Sequence, residues 1–113
     1  MAQFHKLHVY HDSQKQLLVV AQLSSKLHFG DLANQMRRAA ISVVSNLVEA
    51  LSRNSDRDCV RLLTIARGSN DELAAQIEIV INLTGTNADD LLALNASTGR
   101  QLSGLIRYRR GGG

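Results

Sequence analysis

The sequence has no proline and no tryptophan, only two phenylalanines and two tyrosines, and a single cysteine, Cys59. A lone cysteine excludes a disulfide within the chain. With so few aromatic residues the core must be built from Leu, Ile, Val and Ala, which favours helix-on-helix packing over a β-sandwich. The 113 residues are enough for one domain.

Long hydrophobic runs are also missing. No stretch is apolar enough to suggest a membrane helix, and residues 1–10 lack the hydrophobic region of a signal peptide. We therefore expect a cytoplasmic protein that does not associate with membranes. The net charge of +3 is mildly basic, which permits contact with nucleic acid without requiring it.

No pattern typical of a catalytic or cofactor site is present. No glycine-rich phosphate loop precedes a helix, and no paired carboxylates have a spacing that demands acid–base chemistry. His5, His8 and His11 are spaced as metal ligands on a helix can be, but no distal ligand matches them. Cys59 lies on an apolar stripe, as a buried structural thiol does. We predict no metal, no cofactor and no enzymatic activity.

Apolar residues recur at helical spacing in four segments separated by short turn-like stretches. They predict helices over roughly 7–27 and 32–53, a third that follows Ser55 and ends near Leu83, and a fourth that follows Thr86 or Asn87. Four such helices with short turns predict an all-α fold, an antiparallel up-down-up-down four-helix bundle. Residues 1–110 would form this single domain, and 111–113 a disordered tail.

Glycines and capping residues mark the predicted helix ends. Gly30 is expected to end helix 1, Asp31 to cap helix 2, and Gly85 to end helix 3. Ser55 with Asp58 three residues later resembles a capping box. Gly68 lies in the middle of helix 3, and close approach of a neighbouring helix is one explanation for it.

Each predicted helix carries a main apolar stripe. The stripes are Leu17, Val20, Ala21 and Ser24; Met36, Ala40, Val43, Leu47 and Ala50; Cys59, Leu62, Ala66, Ser69, Leu73, Ile77 and Val80; and Leu91, Leu94, Thr98, Leu102 and Leu105. Further apolar residues exceed what one small bundle must bury, and such a surplus is typical of an interface. We predict an oligomer interface formed by Ile41, Val44, Val48, Leu18 and Val19.

Three strings of the sequence carry a resemblance to a known family. Residues 35–50 read QMRRAAISVVSNLVEA, residues 61–73 read RLLTIARGSNDEL, and residues 4–10 read FHKLHVY. Together they resemble the bundle proteins once called S23 ribosomal proteins, which are encoded by intervening sequences in bacterial 23S rRNA genes. Val44 stands where that family usually has proline, and Ala50 where it usually has glycine. Without the proline, helix 2 should be more continuous.

The resemblance implies a ring-shaped homo-oligomer, a pentamer, whose subunit is a four-helix bundle. The family is itself similar to the accessory variability proteins of diversity-generating retroelements, basic bundles that bind a reverse transcriptase and nucleic acid. By that likeness, the expected partners are further copies of the chain, RNA or DNA, and a reverse transcriptase.

Arginines are the residues that suit a nucleic-acid surface best, because a guanidinium can donate two hydrogen bonds to one phosphate. The candidates are Arg37, Arg38, Arg53, Arg57, Arg61, Arg107, Arg109 and Arg110. The competing interpretation is that these side chains form solvated helix faces and ion pairs, of which Glu49–Arg53 and Arg67–Asp71 have the required i,i+4 spacing.

Polar residues within the family-like strings allow two interpretations, a binding site or a network that fixes helix register. They are Asn46, Glu49, Arg67, Ser69 and Glu72. We favour the network, because buried polar groups usually pair with each other.

The leading hypothesis is a non-enzymatic oligomeric scaffold that binds RNA or another nucleic acid. The alternative is a protein adaptor, such as an accessory partner of a reverse transcriptase.

Overall fold

Four α-helices make up the computed structural model, which describes residues 7–111. They are α1 (His8–Ser24), α2 (Gly30–Leu51), α3 (Asp56–Thr84) and α4 (Asp89–Arg110). Each helix packs against two neighbours in the cyclic order α1, α2, α3, α4. Helix directions alternate, since the end of α4 meets the start of α3 through Arg109 and Asp56. The predicted up-down-up-down bundle is confirmed, and α2 is continuous through Val44.

The ends of α3 follow the predicted capping chemistry. Ser55 Oγ accepts a hydrogen bond from the backbone N–H of Asp58 at 3.2 Å. At the other end Gly85 has φ +71°, and its N–H donates to the carbonyl oxygen of Ile81 at 2.8 Å. Glycine takes this left-handed conformation without the steric cost that a Cβ would add. Both predictions are therefore confirmed.

The connection between α1 and α2 differs from the prediction. α1 ends at Ser24, three residues early, where the N–H of Ser25 bonds back to Ala21. The chain then needs only 25–29 to turn, so Gly30 is the first residue of α2 rather than the end of α1. Asp31 is not the cap either. It lies in the first turn, where its negative charge interacts favourably with the unpaired N–H groups at the start of the helix.

The start of α4 differs from the prediction by one residue, because Ala88 rather than Thr86 or Asn87 is the N-cap. Asn87 Oδ1 accepts a hydrogen bond from the N–H of Asp89 at 3.0 Å, although Ala88 is the residue that flanks the helix. At the other end Gly111 donates its N–H to the carbonyl oxygen of Arg107. Residues 112–113, the rest of the predicted tail, lie outside the described residues, as do residues 1–6. Within residues 7–111, none of the four helices combines the length and the hydropathy that a membrane span requires.

Two hydrophobic clusters fill the bundle, one at each end. The first cluster consists of Val9, Val43, Leu47, Ala50, Cys59, Leu62, Leu63, Ala66, Leu102 and Ile106. The second consists of Val20, Met36, Ala39, Ala40, Leu73, Ile77, Val80, Ala88 and Leu91. The predicted α2 stripe is buried completely, and the α3 stripe is buried except for Ser69. Regular i, i+3, i+4 spacing of apolar residues on these two helices explains that success.

The apolar stripes predicted for α1 and α4 agree less well with the residues that are buried. On α1, Ala21 is exposed and Leu17 only half-buried. On α4, Leu94 and Leu105 are half-buried. The positions buried in their stead include Ser13, Gln16, Asn95 and Ile106. Three of these four are polar, so a pattern of apolar residues cannot reveal them.

Gly68 does not mark a close helix contact. It is exposed, and a Cβ at this position would meet no atom within 4 Å outside its own helix. A glycine in the interior of a helix costs stability because it loses more backbone entropy on folding than alanine does. Nothing in the bundle offsets that cost.

Alanine at Gly68 should therefore raise the free energy of unfolding by about 0.5–1 kcal/mol. Alanine at Gly85 should lower it by about 1–2 kcal/mol, because a Cβ in the left-handed conformation is strained. Urea unfolding of the two variants beside the parent chain measures both shifts. Destabilisation by Gly68→Ala would show that the exposed side of α3 contacts something that this bundle does not contain.

Candidate functional site

The surface between α3 and α4 carries six arginine side chains in two shallow depressions. The first depression is lined by Arg57, Arg61 and Arg110, together with Asp58, Val60, Thr64 and Ile65. The second is lined by Arg67, Arg100 and Arg107, together with Asp71, Gly99 and Ser103. The two depressions adjoin, because Arg107 and Arg110 are three residues apart on α4 and so lie side by side on its surface. We call these six arginines the arginine groove.

Among the described residues, no guanidinium of the arginine groove forms an ion pair with a carboxylate. Over residues 7–111 the ion pairs shorter than 4.0 Å are Arg53–Glu49 and Arg109–Asp56, which lie outside the groove. The predicted Arg67–Asp71 pair is thus wrong, although both side chains line the second depression. Gathering unpaired like charges is unfavourable. An anion that bound between them would remove that repulsion.

The remaining predicted arginines lie elsewhere. Arg53 donates to Glu49 Oε1 at 2.6 Å on the exposed side of α2, so this predicted pair is confirmed. Arg109 donates to Asp56 Oδ1 at 3.0 Å, and this hydrogen bond raises the pKa of Arg109. Arg38 is exposed on α2.

Arg37 is engaged on the opposite side of the bundle, where it donates to Ser24 Oγ of α1 at 2.9 Å and to Asn34. Arg100 was not among the predicted residues, and Arg67 was predicted to belong to the polar network. Arg100 lies seven residues before Arg107, a spacing that puts both on one face of α4.

Three amide side chains meet between the two hydrophobic clusters, and we call them the amide layer. They are Gln16, Asn70 and Asn95, only 0%, 1% and 5% exposed. Gln16 Nε2 donates to Asn70 Oδ1 at 3.0 Å, and Asn95 Nδ2 donates to Gln16 Oε1 at 3.0 Å. Asn70 and Asn95 each donate to the other's backbone carbonyl oxygen, also at 3.0 Å. The layer therefore ties α1, α3 and α4 together at one level.

The predicted polar network is only partly formed. Asn46 Nδ2 donates to the backbone and hydroxyl oxygens of Ser42 at 2.9 and 3.0 Å. The hydroxyls of Ser42 and Ser69 share a hydrogen bond of 2.7 Å across the α2–α3 contact. Asn46 and Ser69 are thus joined through a residue that the prediction did not include.

The charged members of that network were assigned wrongly. Glu49 is exposed and bound to Arg53, and Arg67 faces the arginine groove. Glu72 is exposed and has no hydrogen bond or ion pair to the described residues. Helical spacing places both carboxylates on the outside of the bundle, where water solvates their charges. The buried polar network of this bundle is the amide layer instead.

The residues predicted as an oligomer interface fall on two sides of α1. Leu18 is 64% exposed and Ile41 is 50% exposed, while Val44 and Val48 are half-buried beside Ile41 on α2. Ile41, Val44 and Val48 share one face of α2 by their spacing, and together with Leu18 of α1 we call them the apolar face. Val19 does not join it, because it packs against the second cluster and lines a depression between α1 and α4.

Other candidate chemistry stays within the core or outside the described chain. His5 precedes the described residues, and across 7–111 no three His, Cys, Asp or Glu side chains group as metal ligands. Cys59 is fully buried in the first cluster, as predicted. Its burial raises the pKa of the thiol, against a smaller opposing effect of the positive charge of Arg109. A thiol that is both buried and protonated reacts slowly.

Comparison with known proteins identifies the family. The family model of the 23S rRNA-intervening sequence protein matches residues 5–105. A crystal structure of a protein of unknown function from the S23 ribosomal protein family of Bacteroides thetaiotaomicron VPI-5482 has the same fold, with a TM-score of 0.78. The two chains are 19% identical, and the match covers 87% of this chain and 97% of that one. None of the curated proteins matches this chain.

The matched region includes both central strings on which the sequence resemblance depends, and it spans all of α1, α2 and α3 and most of α4. The chain therefore belongs to the 23S rRNA-intervening sequence protein family.

Proposed function

We propose that this chain is a non-enzymatic, cytoplasmic scaffold that assembles into a homo-oligomer and binds the phosphodiester backbone of nucleic acid through the arginine groove. The observation that carries the proposal is the set of six guanidiniums that form no ion pair with a carboxylate of residues 7–111. The carboxylates that line the same two depressions are Asp58 and Asp71. Arginine is the side chain best suited to phosphate, because its planar fork matches two phosphate oxygens.

The dimensions of the arginine groove suit a nucleic-acid backbone. From Arg57 to Arg67 the axis of α3 advances about 15 Å. A duplex presents one negative charge per about 1.7 Å of its axis, so it would offer about nine charges over that length. The six arginines can contact part of these. The uncharged residues that line the two depressions are Val60, Thr64, Ile65, Gly99 and Ser103, and none has a ring on which a base could stack. We therefore expect binding that depends little on base sequence.

Replacing Arg57, Arg61 and Arg110 by Gln should weaken binding to a fluorescein-labelled 20-base-pair RNA duplex. Each lost phosphate contact should make the slope of log K against log salt shallower by about 0.9. Fluorescence anisotropy at several salt concentrations measures both affinity and slope. A DNA duplex of the same length should respond in the same way, since the contacts are made to phosphates.

The matched control replaces Arg37, Arg38 and Arg53 by Gln, which removes the same charge from α2 and the connection that follows it. This variant should keep most of the parent slope. Equal losses in the two triple variants would attribute the attraction to net charge and contradict a groove. Negligible affinity of the parent for both duplexes at low salt would overturn the proposal and favour the protein-adaptor alternative.

The apolar face supports the assembly part of the proposal. Leu18 and Ile41 expose large aliphatic side chains beside half-buried Val44 and Val48. Contact between copies through this face would bury area worth roughly 25 cal/mol per Å². The helices are arranged cyclically, so the α1–α2 side is opposite the α3–α4 side. Assembly through the apolar face would therefore leave every arginine groove accessible and multiply the grooves along one ligand.

Changing Val44 and Val48 to Asp should dissociate the oligomer while the helices persist, because both side chains are half-buried rather than fully enclosed. Light scattering after size-exclusion chromatography gives the mass, and far-ultraviolet circular dichroism gives the helix content. Ser45→Asp is the control, since it adds a carboxylate at an exposed position on the same helix. A monomeric parent, or loss of helicity in the double variant, would contradict the assignment of this face.

A further inference from the structure

The amide layer lies directly under the arginine groove. Asn70 follows Arg67 by three residues and immediately precedes Asp71, so it shares a turn with two residues that line the second depression. Across the helix contact, Gly99 and Arg100 line the same depression from α4. A Cβ on Gly99 would lie 3.2 Å from Asn70 Nδ2. The close approach between these helices is therefore at Gly99, against the amide layer.

We propose that the amide layer, with Gly99, is the positioning device of the arginine groove: it fixes which arginines of α3 and α4 face each other. The inference rests on the proposed function, because it assigns these buried residues a role in binding. Asn70 and Asn95 would touch no ligand. They act through the placement of Arg67 and Arg100.

Register is the quantity that the amide layer controls. A slide of α4 along α3 by one turn, about 5.4 Å, would separate Asn70 from the carbonyl oxygen of Asn95 and leave buried amides unpaired. Each unpaired group would lose its hydrogen-bond partner while still paying the desolvation cost of burial. The aliphatic clusters discriminate less between registers, because cores tolerate aliphatic rearrangement of similar volume. A buried Asn fixes the register of coiled coils for the same reason.

The ion pair between α3 and α4 contributes little to their register. The Arg109–Asp56 pair has side chains 27% and 54% exposed, and exposed pairs contribute little. The arginines repel one another across the groove. The amide layer holds α3 and α4 against that repulsion in the one register that places arginines of both helices around each depression.

The test replaces Gln16, Asn70 and Asn95 together by Leu. Because every partner is removed at once, no buried amide is left unpaired and the bundle should stay folded. Spin labels at Ala75→Cys on α3 and Ala96→Cys on α4, both exposed positions, report the distance between the helices by double electron–electron resonance. Cys59 stays unlabelled because it is buried.

With the amide layer intact, the labels should give one narrow distance distribution. In the triple Leu variant the distribution should broaden by about 5 Å, one helical turn. The salt slope for the 20-base-pair RNA duplex should become shallower by about one unit, as though a phosphate contact were lost. A purely structural role would change stability alone and leave the slope as it is.

Three results would overturn the inference. Unchanged distances would show that the amide layer does not set register. Broadened distances with an unchanged salt slope would show that register does not matter for binding. A parent chain that binds no duplex would remove the proposed function and the positioning role with it, while the distances would still report the register.

If the triple Leu variant loses its helicity, a second pair of variants tests the positioning role of the amide layer. Gly99→Ala keeps all three amides but pushes a Cβ against Asn70 Nδ2, so it should make the salt slope shallower. Gly68→Ala is the matched control, because its Cβ meets no atom within 4 Å and its slope should equal that of the parent. Equal slopes in both variants would overturn the inference.

Discussion

The reciprocal hydrogen bonds between Asn70 and Asn95 are the contact on which the rest of this bundle depends. Each amide donates to the other residue's backbone carbonyl oxygen, and Gln16 of α1 bonds to both side chains. A group of polar atoms this deeply buried is stabilising only when its partners are in place. The layer therefore selects one arrangement of α1, α3 and α4 out of the several that aliphatic clusters on either side would accept.

That arrangement gives the bundle two unlike sides. The α3–α4 side presents six guanidiniums that no carboxylate within the described chain neutralises, and the α1–α2 side presents aliphatic side chains. On the first side, the guanidiniums repel one another. On the second side, apolar side chains are exposed to water, which disfavours the monomer. Both are costs that a binding partner removes: an anion in the arginine groove and another copy of the chain on the apolar face. The proposed scaffold is the function that resolves the two costs together.

Features that depend on a repeated spacing of residues could be predicted from the sequence, whereas single contacts between distant residues could not. Regular apolar spacing placed the cores of α2 and α3, and the left-handed position of Gly85 followed from its residue type. The amide layer was not predicted, because Gln16, Asn70 and Asn95 are far apart in the chain and are of residue types that usually lie at the surface. Arg100 was overlooked and Arg67 misassigned for a related reason. Spacing alone does not decide whether a charge is paired, because Arg67 and Asp71 have the i,i+4 spacing and form no ion pair, whereas Arg109 pairs with Asp56 of another helix.

The most direct test of the account is hydrogen exchange of side-chain amides, followed by nuclear magnetic resonance after transfer into D₂O. If the amide layer is closed, the NH₂ groups of Asn70 and Asn95 exchange only when the bundle opens, and their signals persist. Those of exposed Asn54 and Gln22 should vanish at once. Equal, fast loss of all four signals would contradict the account, because the layer would then be open to water and unable to hold α3 and α4 in register.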